Sequence, residues 1–394
     1  MRLWEAICVS LSSFFLMGRR TVDDTNHWET IVSLDLAEIE RRIADSYELP
    51  NNVLDAVPEP VVTVRTSTYQ HAEYIRDCIE GVLMQETSFP FEYIIGEDFS
   101  TDGTREIVIA YAEQYPDIIR VVTADYNVGS KANAGRCSRR ARGKYMALCE
   151  GDDYWTDPQK LQKQVDFLDA HPRYGVVHGD YDLVYTAKKK ALRAANKEAN
   201  TRTTYTDKTE LFDLLVKGSY RVLTATVLFR KAVCDAVQPE LDAIGHKFLM
   251  GDTPRWLEMS RLCDFHYMDE AVAVYRVLPE SASHSRDRAR QLRFYLSVAE
   301  MRVYFVKKYR SRIPSHVRHR YNRNLLLYKA AMPEYVAMYP LIEPTFAETF
   351  FYDRIEWPLV GFLVRQWFRF RGLRGRLVSS LQRLCRLPWQ CNIV

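Results

Sequence analysis

Between residues 61 and 168 the chain alternates short apolar runs with stretches whose apolar residues return at helical spacing, and this alternation leaves few folds open. Residues 61–64, 93–96, 118–123 and 145–149 read as buried strands. Ile75, Ile79 and Val82 share one helical face, Ile107 and Tyr111 share another after the Asp102-Gly103 turn, and Leu161, Val165 and Leu168 share a third. The last of these helices has a good start, since Thr156 or Asp157 can cap it and Pro158 suits the first turn. Strands separated by helices need crossover connections, so the class is α/β with a mostly parallel central sheet. Ligands of such sheets sit at the carboxyl ends of the strands, which directs attention to the loops after Val64, Gly96 and Cys149.

The remainder of the 394 residues divides around this core. Residues 1–58 carry an amphipathic stretch near Leu34 to Ile43 and end in the Val57-Pro58-Glu59-Pro60 lead-in, so they are expected to form a helical N-terminal segment. The catalytic unit is expected over 59–285, and 286–394 as a helical C-terminal extension. Within the unit, residues 185–210 read as a polar surface loop, and residues 222–229 and 271–275 as strands flanking a helix over 253–262. A net charge of +3 singles out neither nucleic acid nor an acidic substrate as partner. The 8 cysteines lack any metal-binding spacing and read as reduced, buried thiols of a cytosolic protein. The apolar run from Ala6 to Met17 is too short to span a bilayer and reads as a surface helix rather than a signal or anchor.

Acidic residues cluster where the strands should end: Glu97-Asp98, Glu150-Gly151-Asp152-Asp153 and Gly251-Asp252. Carboxylates gathered at one sheet edge repel one another unless a cation joins them. Magnesium or manganese bridging a diphosphate is such a cation, because it accepts hard oxygen ligands from one or two carboxylates plus phosphate oxygens. The plain alternative stays open at this level, with Asp98 a turn acid, Asp152 and Asp153 part of a solvated loop, and Asp252 an acid at a helix start.

The order of the motifs resembles the family 2 glycosyltransferases. Val62-Thr63-Val64-Arg65-Thr66-Ser67-Thr68-Tyr69-Gln70 is similar to their opening strand and turn, and Gly96-Glu97-Asp98-Phe99-Ser100-Thr101-Asp102-Gly103-Thr104 to their second-strand signature. Asn127-Val128-Gly129 with Asn133 and the run Ala141 to Tyr145 follow. Glu150-Gly151-Asp152-Asp153 stands in place of the Asp-x-Asp motif, and Gly251-Asp252 and Tyr275-Arg276 complete the series. Ser67 departs from the usual proline, Gln70 from asparagine and Glu150 from aspartate. The resemblance implies the GT-A nucleotide-diphospho-sugar transferase fold and an inverting, metal-dependent hexosyl transfer in polysaccharide biosynthesis for the cell envelope. It implies that Ser67 and Tyr69 lie along the nucleotide of a nucleotide-sugar donor, UDP by family tendency, and that Asp98 accepts a hydrogen bond from base or ribose. Asp153, with Asp152, would hold Mn2+ or Mg2+ on the donor diphosphate. Glu150 and His284 are further metal candidates, and Asp252 would be the general base. Arg136, Arg139, Arg140 and Arg142 could steer the diphosphate or form a solvated basic face.

Rival classes are weaker. The haloacid dehalogenase nucleophile position is Ser100, and residues 61–70 lack the glycine that a sugar nucleotidyltransferase needs to cradle phosphates. A catalytically silent carbohydrate-binding or scaffolding relative would not need Asp98, Asp152, Asp153 and Asp252 together. Expected partners are the donor and a glycan or lipid-linked glycan acceptor, not nucleic acid. Eight arginines against one acid over residues 354–386, interleaved with aromatics, suit peripheral contact with the inner face of the cell membrane as well as they suit the polar face of a packed helical subdomain. A cytoplasmic location follows from that reading.

Overall fold

The computed structural model describes residues 36–186, 190–196, 204–205, 207–245, 247–278, 287–355, 360–364 and 366. Its centre is the parallel block that the alternation predicts: β2 (Val62–Thr68), β3 (Phe91–Glu97), β4 (Ile119–Thr123) and β5 (Tyr145–Leu148), ordered β4-β3-β2-β5. The crossovers are α3 (Ile75–Leu83), α4 (Thr104–Gln114) and α5 (Ser130–Arg140). Successive side chains of a strand face opposite layers, and both layers are covered. Ile95, Val121 and Ala147 pack with α3 and α4, while Ile94, Val122, Met146 and Leu148 pack in the opposite layer with α5. The chain builds β3 and β4 on one side of β2 and then returns to place β5 on the other, which opens a crevice at the carboxyl ends of β2 and β5.

Beyond β5 the sheet continues with reversed strands. β10 (Leu228–Arg230) runs antiparallel to β5 and to β7 (Tyr174–Tyr185), β7 pairs in parallel with the long β11 (Asp264–Val277), and β6 (Tyr154–Trp155) closes on β11. β7 reaches Tyr185 and turns back into β8 (Lys190–Leu192), and β9 (Thr204–Tyr205) adds to β11, so the described parts of 185–210 include paired strands and, from Lys208, the start of a helix rather than one free loop. A polar sequence conceals such strands because nothing beneath them forces an apolar period. The other helices of this part are α6 (Lys160–Ala170), α7 (Lys208–Lys217), α8 (Lys231–Gly245) and α9 (Asp252–Met259).

The flanking segments pack onto the core. Ahead of it come α1 (Leu36–Ala44), β1 (Tyr47–Glu48) and α2 (Val53–Ala56). β1 pairs antiparallel with β4, so the segment expected to be helical also supplies an edge strand, too short for any periodicity to reveal. After the core, α10 (Arg288–Tyr309), α11 (Ser315–Lys329) and α12 (Phe346–Asp353) bury Leu296, Phe305, Leu325 and Leu326 in the same core as α5, α7 and α9. Ile355, Val360 and Val364 join that core, so the first residues of the basic tail are packed. Most of 354–386 and the 6–17 run lie outside the described residues, as does His284. Among the described residues no helix is long and apolar enough to cross a membrane, and their cysteines, 78, 137, 149, 234 and 263, are buried and unpaired.

Candidate active site

Three loops meet at the crevice because the strands that deliver them are in register. Ser67 lies opposite Gly96 and Thr68 opposite Glu97, while the Gly151 N–H donates to the Ser67 carbonyl at 3.0 Å and the Asp98 N–H to the Thr68 carbonyl at 3.1 Å. The first two loops are also tied by side chains. Gln70 Oε1 accepts from the Thr101 and Asp102 N–H groups at 2.9 and 3.1 Å, and Ser100 Oγ accepts from the Gln70 N–H at 3.1 Å. Gln70 and Phe99 both hold left-handed backbone, at φ of 58° and 60°. Such conformations cost energy in non-glycine residues and concentrate at functional loops. The family's asparagine at position 70 takes this conformation more readily; here the longer Gln70 amide holds the turn by its two acceptor bonds.

Ser67 and Tyr69 emerge at the end of β2, Tyr69 exposed and Ser67 half-buried. Among the described residues Ser67 Oγ is buried without a hydrogen-bond partner, an unanswered polar atom near the end of β2. Asp98 is 2% exposed, and its oxygens accept from the Val128 and Gly129 N–H groups at 2.8 and 3.0 Å. Burial pushes its carboxyl up, while those two N–H groups and Arg136 work the other way. What Asp98 visibly does is fix the Asn127-Val128-Gly129 turn, which stands over the start of α5.

The second acidic group is crowded. Burial first, then the Asp152 charge, hold the Asp153 carboxyl well above the usual carboxylate range, and Glu150 adds to the effect. Glu150 is raised by burial and by Asp152 and Asp252, against which Arg65, whose Nη2 is 3.5 Å from Glu150 Oε1, and Arg255 act. Asp252, about a hundred positions away in sequence, therefore shares one electrostatic site with Glu150. Asp153 is 3% exposed and its Oδ1 accepts from the Arg276 N–H at 3.0 Å. Asp152 is half-buried, and among the described residues its carboxylate has no hydrogen-bond partner. No three carboxylate, histidine or cysteine groups among the described residues are disposed to hold a metal by themselves. A cation shared with a diphosphate needs only one or two carboxylates, and the like-charged crowd of Asp152, Asp153 and Glu150 is a donor set that such a cation relieves.

Asp252 occupies the first position of α9. Its Oδ1 accepts from its neighbour's N–H, that of Thr253, at 2.7 Å, and Thr224 Oγ1 donates to Oδ2 over a longer 3.4 Å. The N-cap is Gly251, which has no side chain, so the helix-start role of Asp252 is the Oδ1 bond to the Thr253 N–H and leaves much of its second oxygen available. Trp155 Nε1 donates to the Ala225 carbonyl at 2.7 Å, linking the Thr224–Thr226 turn to the strand that follows the acidic loop.

Arg276 had no role assigned from sequence beyond its place in the motif series. Its N–H holds Asp153, its Nη1 donates to the Asp152 carbonyl at 3.0 Å, its Nη2 pairs with Asp77, and its guanidinium lies 4.3 Å from the Tyr154 ring centroid. It is a clamp on the acidic loop, and only the pairing of β6 with β11 brings it there. The α5 arginines and Arg142 are paired within the protein, and of them only Arg139 is exposed as a solvated face requires. Arg136 is fully buried and donates to Asn133 Oδ1 and the Glu97 carbonyl at 2.9 and 2.8 Å; Arg139 pairs with Glu40, Arg140 with Glu48 and Arg142 with Glu92. Their partners Glu40 and Glu48 come from the N-terminal segment, which a reading of α5 alone could not supply.

Comparison with known proteins gives the site its relatives. The family model described as glycosyl transferase family 2 matches residues 63–234. An uncharacterized protein of Mycobacterium tuberculosis is 44% identical over 124 residues, 32% of this chain and 36% of that protein, so the chain spans about a third of that relative's length. TuaG of Bacillus subtilis, a glycosyltransferase named for teichuronic acid biosynthesis, is 26% identical over 251 residues, 63% of this chain and 92% of TuaG. Among solved structures, TarS of S. aureus in complex with UDP-GlcNAc aligns with a TM-score of 0.47 at 16% identity, over 67% of this chain and 71% of that one.

Proposed function

We propose, from the premise that this chain belongs to glycosyl transferase family 2 through residues 63–234, that it transfers a sugar from a nucleotide-sugar to a hydroxyl of a glycan or lipid-linked acceptor with inversion. One observation carries the reading: the acidic loop after β5 and Asp252 at the start of α9 are tied together through the Thr224–Thr226 turn, whose Ala225 carbonyl accepts from Trp155 Nε1 at 2.7 Å and whose Thr224 Oγ1 donates to Asp252 at 3.4 Å. The relationship to TuaG supports a cell-surface polysaccharide as the product. UDP is the proposed nucleoside diphosphate.

In the proposed reaction the donor lies over the end of β2, with Ser67 Oγ and Tyr69 against the nucleotide and Asp98 keeping the 127–129 turn in place beneath it. Asp152 and Asp153 would hold Mn2+ or Mg2+ on the diphosphate, Asp152 foremost because Asp153 is buried and bonded to Arg276. The bound cation would neutralise charge on the leaving diphosphate. Asp252 takes the proton of the acceptor hydroxyl as its oxygen forms a bond to the anomeric carbon from the face opposite the diphosphate. The electron pair of the broken carbon–oxygen bond leaves with the nucleoside diphosphate, so no covalent enzyme intermediate is formed. The basic tail is proposed to touch anionic lipid; truncation after Gln366, which keeps Ile355, Val360 and Val364 in the core, should then abolish flotation with liposomes, and equal flotation of both forms would discard that contact.

The test is a panel of UDP-, GDP- and dTDP-sugars scored for turnover with and without manganese or magnesium, repeated with Asp252→Asn. Turnover is expected from the UDP-sugar with metal only. The substitution should lower kcat by roughly 100-fold or more, in line with removal of a general base, with donor affinity nearly unchanged. Wild-type turnover in Asp252→Asn would remove the base assignment.

A further inference from the structure

A groove of about 400 Å3 opens beside the crevice, between α1, α5, α8 and the start of α9. Its apolar lining comes from Leu36, Ile39 and Ile43 of α1 and from Leu241 and Pro254 of α8 and α9. Arg65, Lys131 and Arg255 line it too, Lys131 with its Nζ on the Phe248 carbonyl at 2.9 Å. Among the acids on its walls, Glu40 pairs with Arg139 and Asp235 with Lys231, while Asp242 accepts from the neutral Gln238 amide.

Arg65 is the anomaly. It lies mid-strand in β2, facing the layer where its neighbours Ile94 and Leu148 are apolar, and it is 4% exposed. A guanidinium in that position is costly unless its donors find acceptors. Nη1 donates to Ser138 Oγ at 3.2 Å and Nη2 faces Glu150 at 3.5 Å, but among the described residues its Nε, like that of Arg255, is buried with no acceptor. Two unanswered N–H donors, on two guanidiniums that both line a groove wide enough for a small molecule, make a site for an anion.

Its place tells which ligand. Gly251 lines the groove, so it opens next to Asp252, on the side of the base. None of Ser67, Tyr69, Asp98 or Asp152, the proposed donor contacts, lines it. Two of its walls, α1 and α8 beyond Cys234, lie outside the family-matched residues 63–234, while Arg65 and Lys131 lie within them. We infer that this groove is an acceptor subsite that receives a carboxylate or phosphate on Arg65 and Arg255, with the apolar face of the acceptor along α1 and α8, an inference that rests on the transferase reading above. The acceptor is thus an acidic glycan or a phosphate-linked one.

The experiment uses the full chain saturated with UDP and Mn2+, titrated calorimetrically with glucuronate, glycerol 3-phosphate and glucose. One of the anions should bind and glucose should not; the glucuronate arm winning marks a uronate acceptor, the phosphate arm a phosphate-linked one. Arg255→Gln, half-buried and so less exposed to folding failure than Arg65→Gln, should weaken that anion about tenfold or more while its melting temperature stays near wild type. Glucose binding as well as the anions, no anion binding, or an unchanged affinity in Arg255→Gln each overturns the inference. Displacement of UDP by the anion would assign the groove to the donor phosphates and overturn it too. A chain that binds nucleotide-sugars but no anion loses only the groove; one that takes an anion through Arg255 yet binds no nucleotide-sugar loses the transferase reading and the acceptor assignment with it.

Discussion

Gly151 sits inside the acidic loop, and adding one methyl group there tests whether the placement of Asp152 and Asp153 matters. A Cβ at Gly151 would lie 2.5 Å from Thr68 Oγ1, 2.7 Å from Thr68 Cβ and 2.8 Å from His71 Nδ1. Neither neighbour yields easily: Thr68 is a β-branched residue buried at the end of β2, and its hydroxyl and His71 Nδ1 are hydrogen-bonded at 3.2 Å. The backbone at Gly151 does not need a positive φ, so the effect of Gly151→Ala is steric. The acidic loop must move by roughly 1 Å to restore ordinary contacts, at about 1–3 kcal/mol of stability for overpacking. A displacement of that size near reacting groups costs about 100-fold in rate. Metal-dependent release of nucleotide from the donor and a thermal melt, run in parallel, should give a turnover loss near that factor with a melting temperature only a few degrees lower. Gly103→Ala is the control: there φ is +103° and the nearest atom is Ala72 Cβ at 3.9 Å, so strain of about 1 kcal/mol falls on stability and turnover survives. Wild-type turnover in Gly151→Ala, or an equal loss in Gly103→Ala, would refute the reasoning.

Two other outcomes follow from the same structure. Burial pushes His178 from 6.5 down to about 3, with Nε2 hydrogen-bonded to the Tyr220 hydroxyl at 2.6 Å. Its folded value is below its unfolded one, so its contribution is fully present above about pH 6.5 and is lost as pH falls toward 3; by pH 5 the wild type should have lost on the order of 2 kcal/mol more than His178→Gln in denaturant titrations, and equal losses would sink this account. Arg276→Ala strips the Asp152 carbonyl of its donor and should cost about 1–3 kcal/mol with at least a tenfold fall in turnover, while Arg276→Lys, lacking the planar fork, should restore little; full rescue by lysine in a turnover assay would show that charge alone suffices.

What could be read from the sequence was what depends on local period and local order. The alternation of runs such as 93–96 and 145–149 with helical spacing fixed the parallel block, because a strand buried on both faces must be apolar throughout and a crossover must be helical. The acids at 97–98, 150–153 and 252 could be placed at strand ends and helix starts on the same grounds, as was the turn role of Asp102, whose Oδ1 accepts from the Thr104 N–H at 3.0 Å. What pairs with what over long separations was not local. The partners of the α5 arginines lie on a preceding segment, the Arg276 clamp exists only because β11 folds back beside β6, and the groove needs α1 and α8 to stand against α5. A charge written in a sequence is solvated, paired or left to wait for a ligand according to what the fold brings within about 4 Å of it, and that distance is decided by packing rather than by period.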